Sequence, residues 1–133
     1  MTAVDSSILF DALLERSPFQ VISENALRQA SEEGALIICE VVYVEIAGFF
    51  PGKSELDIFL QETGIQLTPS TSETFFKAGH LWRHAGSRRL HGSSARRVPA
   101  DFLIGAHALL QAQRLLTRDK GFYRAAFSGL RLA

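Results

Sequence analysis

Residues 99–119 read PADFLIGAHALLQAQRLLTRD, an apolar helix followed by a short strand, with Asp101 near one end and Asp119 at the other. Pro99 has a fixed φ and lacks an N–H, so it suits a first helical turn, and Asp101 just behind it favours the positive end of the helix dipole. From Phe102 to Leu110 nearly every residue is apolar or small, which predicts a mostly buried helix. His107, Gln111 and Arg114 fall at i, i+4 and i+7 and form a narrow polar stripe, so a surface position is expected for His107. Asp101, Gly105, Ala108 and Ala112 share a face of small residues, which would let the helix backbone pack closely on a sheet. Leu115, Leu116 and Thr117 then predict a short buried strand. A buried helix that hands over to a buried strand is the repeating unit of an α/β fold.

The same unit recurs upstream. Residues 2–4 predict a first strand ending at Asp5, with Ser6 and Ser7 placed to cap a helix that runs to Leu14. A helical pattern from about Pro18 to Glu33 ends at Gly34, and residues 35–38 predict a second strand. Residues 40–50 predict a helix whose apolar residues surround most of its circumference, stopped by Pro51 and Gly52. An acidic amphipathic helix over 54–63, ended by Gly64, precedes a third strand at 65–67. Ser70 and Glu73 match a capping box that opens a helix with Phe75, Phe76, Leu81 and Trp82, running to about Leu90. Phe122 and Tyr123 suggest a short helical turn after Asp119, and residues 129–133 a last edge strand. This alternation predicts a single domain over residues 1–133, a three-layer α/β/α sandwich with a largely parallel central sheet.

Composition narrows the setting. The chain has 133 residues and is 47% hydrophobic, enough for one core and too little for two ordinary domains. Its longest apolar run is broken by Glu45 and falls short of the ~20 residues of a membrane span, so no membrane role is expected. The N-terminus has no basic region followed by an apolar stretch, and a lone Cys39 cannot form an internal disulfide. A cytoplasmic location is the expectation. The net charge of zero conceals a polarity: residues 1–73 hold 12 acids and three bases, whereas residues 74–133 hold two acids and eleven bases. Two readings stay open, a basic surface that attracts a polyanion and two halves that attract each other.

Asp101 and Asp119 are the two acids of that basic half. In an open α/β sheet, ligands bind at the rim where strands hand over to helices. Asp5 and Asp119 fall at predicted strand ends and Asp101 in a first helical turn, so all three can meet at one rim. Glu45, a carboxylate among apolar neighbours, is costly to bury unless paired, hydrogen-bonded or bound to a cation, and is preferred for the site over Glu40, which lies in a first turn. Clustered carboxylates repel by roughly 1–4 kcal/mol per pair at about 4 Å. Such a cluster calls for a cation or raised pKa values. Oxygen-only donors suit a hard ion, Mg²⁺ or Mn²⁺, and the chemistry that follows is metal-assisted hydrolysis of a phosphodiester. His80 and His84 have the i, i+4 spacing of a helical zinc pair but no third ligand at a recognisable spacing, so zinc is not expected. Phe75, Phe76 and Trp82 are expected in the core or on a dimer surface.

The order V-D-x-S at residues 4–7, V-V-Y-V-E-I-A-G at 41–48, and P-A-D-F-L-I-G-A-H-A-L…L-L-T-R-D-K-G-F over 99–122 resembles a PIN domain, in particular the VapC-type toxins of bacterial toxin–antitoxin pairs. The resemblance implies an α/β/α fold, an Mg²⁺- or Mn²⁺-dependent endoribonuclease, homodimers and a small cognate antitoxin. Carried over residue by residue, its acidic site corresponds to Asp5, Glu45, Asp101 and Asp119, with Ser7 and Thr117 as donors that orient the carboxylates. The basic stretch from residue 83 to 97 matches no motif of the family. Within it Arg88, Arg89, Arg96 and Arg97 are the candidates for RNA backbone contact, against the plainer reading of a solvated basic turn. The alternative in function is a non-catalytic RNA- or protein-binding module on the same fold. A phosphotransfer receiver would need adjacent acids after the first strand, and Asp5-Ser6-Ser7 does not supply the pair.

Overall fold

A computed structural model describes residues 1–86 and 99–133. Four three-residue strands, β1 (Thr2–Val4), β2 (Leu36–Ile38), β3 (Ile65–Leu67) and β4 (Arg114–Leu116), form a sheet in the order β3-β2-β1-β4, with every pairing parallel. Residues 129–133 add a parallel bridge between Leu115 and Leu132 at the β4 edge, where Leu115 N–H donates to Arg131 O and Ala133 N–H to Leu115 O, both at 2.8 Å. Parallel strands need crossovers, and helices supply them: α1 (Ser6–Leu13), α2 (Gln20–Glu33), α3 (Glu40–Ala47), α4 (Lys53–Thr63), α5 (Ser72–Gly86), α6 (Pro99–Gln111) and α7 (Lys120–Ala126). The expected α/β/α architecture is the one observed. Among the described residues, no helix is long and apolar enough to cross a membrane.

The sheet is short but deeply buried, because β1 and β2 are apolar along their whole length, apart from Thr2, and covered on both sides. Their registers align the carboxyl ends: Val4 pairs with Leu116, and Ile38 with Leu67. The ladder continues one residue further, with Asp5 N–H donating to Leu116 O and Thr68 N–H to Ile38 O, each at 2.9 Å. Asp5 and Thr117 therefore leave adjacent strands side by side.

α6 packs most extensively on α5. Its small-residue face works differently from expectation at Gly105, where a Cβ would come within 2.3 Å of the Phe127 ring. The absent side chain admits an aromatic ring rather than the sheet. Phe127 belongs to a cluster in which Phe102 meets Phe122 at 5.4 Å edge to face and Phe127 at 6.1 Å. That cluster fastens the start of α6 to α7. Asp101 lies next to Phe102 in the first turn of α6, and Asp119 immediately precedes α7.

Several local expectations are corrected. α5 is opened not by Ser70 but by Thr71, whose Oγ1 accepts from Thr74 N–H at 3.2 Å. Ser70 is occupied elsewhere, its N–H and hydroxyl donating to Glu40 Oε2 at 3.0 and 2.9 Å. α2 begins at Gln20 and α3 ends at Ala47, shorter than the apolar pattern suggests. α3 is buried along one stripe only, Val42 and Ile46, while Val44 is 71% exposed and Phe49 43%. Of the two places expected for the α5 aromatics, the core holds Trp82, half-buried against it, while Phe75 and Phe76 are exposed, which leaves the surface alternative for them. His107 is not on the surface at all: it is 1% exposed. Its Nε2 lies 2.8 Å from Thr68 O, and since a carbonyl only accepts, Nε2 carries the proton. Gln111 continues the stripe by accepting from Thr71 N–H and Thr74 Oγ1 and donating to Pro69 O. The polar stripe of α6 thus faces the backbone of the β3–α5 connection, not solvent. Burial lowers the His107 pKa, with the Thr68 hydrogen bond and the Glu40 charge opposing it.

Among the described residues, Arg114 with Glu33 and Arg118 with Asp11 form ion pairs that cross from the basic half of the chain to the acidic half. Attraction between the halves is therefore part of the fold.

Candidate acidic site

The site is built at the carboxyl rim of β1 and β4. Asp5 occupies the position before α1 with extended backbone (φ −78°, ψ 148°), yet its side chain does not cap the helix. It turns the other way and is 5% exposed. Ser6 and Ser7, expected as caps, instead direct their hydroxyls at Asp5: Ser7 Oγ donates to Oδ2 at 3.0 Å, and Ser6 Oγ reaches Oδ1 at 3.5 Å. A third donor comes from the neighbouring strand, Thr117 Oγ1 to Asp5 Oδ2 at 2.7 Å. Donors facing an ionised carboxylate lower the cost of keeping it charged away from water.

Thr117 does two things with one hydroxyl. It donates to Asp5 and accepts the Asp119 N–H at 3.0 Å. Asp119 in turn caps α7, its Oδ1 accepting from Phe122 N–H at 3.4 Å. Asp5 and Asp119 are therefore joined through a buried threonine. This is the arrangement in which a second side chain orients a first.

Glu45 and Asp101 approach from α3 and the first turn of α6. Glu45 keeps contact with solvent. Its pKa is nonetheless raised, first by partial burial and then by the charges of Asp5 and Asp101, with a hydrogen bond from Ser6 opposing the rise. Three carboxylates from three elements thus share one electrostatic neighbourhood. Glu40 lies apart from it and serves Ser70. Among the described residues, no three His, Cys, Asp or Glu side chains converge tightly enough to form a ready metal cage. The donor set itself, carboxylate oxygens with hydroxyl support, matches a hard divalent cation, and mutual repulsion would hold such side chains apart until a cation offsets it.

Other chemistries fit less well. Cys39 sits at the same rim, but burial pushes its thiol up to about 11, with the Glu40 charge adding and backbone hydrogen bonds opposing. Such a thiol is a poor nucleophile at neutral pH. His80 and His84 bring their Nε2 atoms to 2.9 Å on the exposed side of α5, and among the described residues no third ligand joins them. Arg88, Arg89, Arg96 and Arg97 lie outside the described residues.

Sequence reasoning missed Asp11 and Arg118. Asp11 is 3% exposed on the core side of α1 and accepts from Ser17, Ser23 and Arg118. The available signal was an acid on the apolar side of a helix with no other charge, spaced three from Ile8.

A four-stranded parallel sheet flanked by helices defines a mixed α/β domain, with Asp5 and Asp119 at the carboxyl rim of β1 and β4. The chain belongs to the PIN domain family, whose model matches residues 2–128, and PIN domains are generally metal-dependent nucleases. Solved structures share the fold: VapBC2 from Rickettsia felis bound to a DNA fragment from its promoter (TM-score 0.70, 23% identity, covering 99% of this chain and 96% of that one). FitAcB from Neisseria gonorrhoeae is similar at TM-score 0.62 and 14% identity, with 99% and 96% covered. FitAB bound to a DNA fragment is similar at 0.61 and 15%, with 100% and 94% covered. No curated protein matches the sequence.

Proposed function

We propose that this protein is a metal-dependent endoribonuclease of the VapC type, the toxin of a toxin–antitoxin pair. The observation that carries the reading is the rim itself: Thr117 ties Asp5 to Asp119 by hydrogen bonds, and the charges of Asp5 and Asp101 both bear on Glu45. Asp5, Asp101, Asp119 and Glu45 would hold an Mg²⁺ or Mn²⁺ ion, which when bound supplies an activated water and charge stabilisation at phosphorus. The protein's own share is to fix the carboxylates. Ser7 and Thr117 orient Asp5, Thr117 orients the Asp119 turn, and Glu45 completes the carboxylate set. Arg96 and Arg97, with Arg88 and Arg89, would hold RNA phosphates.

Support for an antitoxin comes from the structurally similar VapBC2 and FitAB, which are toxin–antitoxin complexes. Exposed apolar side chains on two helices, Val21 and Ile22 on α2 and Val44 on α3, at 68, 65 and 71%, are available to a partner, whether an antitoxin or a second copy in a homodimer. A cytoplasmic site of action accords with an RNA substrate and a lone buried thiol. Purified protein free of any antitoxin should cleave RNA with Mg²⁺ or Mn²⁺ and stop on addition of EDTA. Binding of RNA without metal-dependent cleavage would instead identify a non-catalytic module.

A further inference from the structure

Asp11 takes no part in the reaction proposed above, yet it is among the most heavily engaged carboxylates in the protein. It is 3% exposed. Oδ1 accepts from Ser17 Oγ at 2.8 Å, and Oδ2 accepts from Ser23 Oγ at 2.6 Å and pairs with Arg118 Nε at 2.5 Å. Burial alone would raise its pKa, but the Ser23 and Ser17 hydrogen bonds and the Arg118 charge hold it below the usual carboxylate range. The Arg118 guanidinium is further fixed over the Phe19 ring, 4.3 Å from its centroid. A guanidinium held on one side by a buried carboxylate and on another by an aromatic face has little freedom left for a passing phosphate.

Arg118 is also the central residue of the turn that forms the site. Its backbone N–H donates to Ser7 Oγ at 3.3 Å, and Ser7 Oγ donates onward to Asp5. On one side of it Thr117 donates to Asp5, and on the other Asp119 N–H donates back to Thr117. The side chain of Arg118 and the backbone of residues 117–119 thus tie the same turn to α1 twice, once at Asp11 and once at Ser7. Ser17, Phe19 and Ser23 extend the tie to the α1–α2 connection and α2. We propose that Asp11 and Arg118 are positioning residues, a buried carboxylate and a partly exposed guanidinium that together fix the 117–119 turn so that the Thr117 hydroxyl meets Asp5 and the Asp119 carboxylate stands at the rim. The geometric part stands by itself, and its bearing on activity rests on the function proposed above.

Residue-resolved amide hydrogen exchange of the full-length, metal-free protein tests the pair without calling on activity. In Asp11→Asn and in Arg118→Met, exchange at the Arg118 and Asp119 amides should rise by about 10-fold or more relative to the Val4 and Ile37 amides of the central strands. Mn²⁺ affinity and kcat should each fall by roughly 10- to 100-fold, with KM for RNA unchanged. Arg118→Lys, which keeps a cation beside Asp11, should recover part of each loss and serves should either of the other variants fail to fold. Asp11→Asn combined with Arg118→Met should cost no more than the worse single change. Unchanged exchange at residues 118 and 119 would overturn the proposal, as would a rise spread evenly over the sheet, because either makes the pair an ordinary stabilising contact. A wild-type protein that neither binds Mn²⁺ nor cleaves RNA would overturn the proposed function, and the exchange result would still decide the positioning role.

Discussion

The acidic rim has two unlike sides. Asp5 and Asp119 come from strand ends and are joined by a buried hydroxyl, and the Ser7 hydroxyl and a neighbouring ion pair hold the same turn. Glu45 and Asp101 come from helices, and what links Glu45 to the other acids is charge repulsion moderated by one serine. One side is set in advance by hydrogen bonds that a folded chain makes without any ligand. The other is a set of like charges that gain from a cation. On the proposed function, a site divided in this way would separate geometry from affinity: the strand side would define where an ion sits, and the charges that meet at Glu45 would gain from it.

The sharpest way to break the comparison is to remove one ligand from each side. Asp5→Asn and Asp101→Asn should each lower Mg²⁺-dependent RNA cleavage by more than about 100-fold, since fewer oxygen donors must hold a hard cation. Rates measured with folded protein, checked by circular dichroism, decide it. Full activity in either variant would remove that acid from the site. The next largest effect separates orientation from ligation. Thr117→Val keeps the shape of the side chain and deletes the hydroxyl between Asp5 and Asp119, which should cost roughly 10- to 100-fold in activity or metal affinity. An equal loss from Ser6→Ala would contradict the special role of Thr117, because Ser6 Oγ lies 3.5 Å from Asp5 Oδ1 whereas Thr117 Oγ1 donates to Asp5 at 2.7 Å.

Much of this layout can be read from residue order, and the misreadings have physical causes. Gly64 and Pro99 mark helix ends because each imposes a backbone constraint that no tertiary contact needs to supply; Gly64 adopts φ 69°, as a helix-ending glycine does, whereas α3 stops at Ala47, before Pro51 is reached. Strand ends follow the apolar triplets, and so the rim position of Asp5 is visible in advance. His107 is different. A polar stripe at i, i+4, i+7 looks the same whether it faces water or the carbonyls of a packed connection, and only the third dimension supplies Thr68 O as its partner. Ser70 and Thr71 compete for one cap, and the winner is decided by Glu40, 30 residues earlier. Asp11 was hidden for the same reason, since its countercharge is 107 residues away at Arg118.

A smaller effect concerns substrate rather than metal. Arg96→Ala combined with Arg97→Ala should weaken RNA binding similarly across sequences and reduce the slope of log affinity against log salt by about 1.4, two contacts at about 0.7 each for a single strand. Filter binding at several salt concentrations in EDTA measures this without cleavage. An unchanged slope would leave the basic stretch as a solvated turn, and the division of the rim would be untouched.

The smallest expected effect is also the most specific to the contrast between the two sides, because it concerns pH and stability in the metal-free protein. Glu45 has a raised folded-state pKa, so the stability tied to its protonated form is fully present below the unfolded value of about 4.3 and is lost as pH rises through the folded value. Asp11 has a lowered one, so its contribution is present above the unfolded value of about 3.9 and is lost as pH falls through the folded value. Glu45→Gln should therefore raise the Tm at pH 7 in EDTA and have little effect near pH 4, whereas Asp11→Asn should lower the Tm at pH 7 and converge on wild type in acid. Adding Mg²⁺ at pH 7 should stabilise wild type more than Glu45→Gln, since a cation offsets the repulsion that the substitution has already relieved. A Glu45→Gln protein less stable than wild type at pH 7 without metal would mean that its hydrogen bond from Ser6 outweighs the repulsion, and the helix side of the rim would then be as preorganised as the strand side.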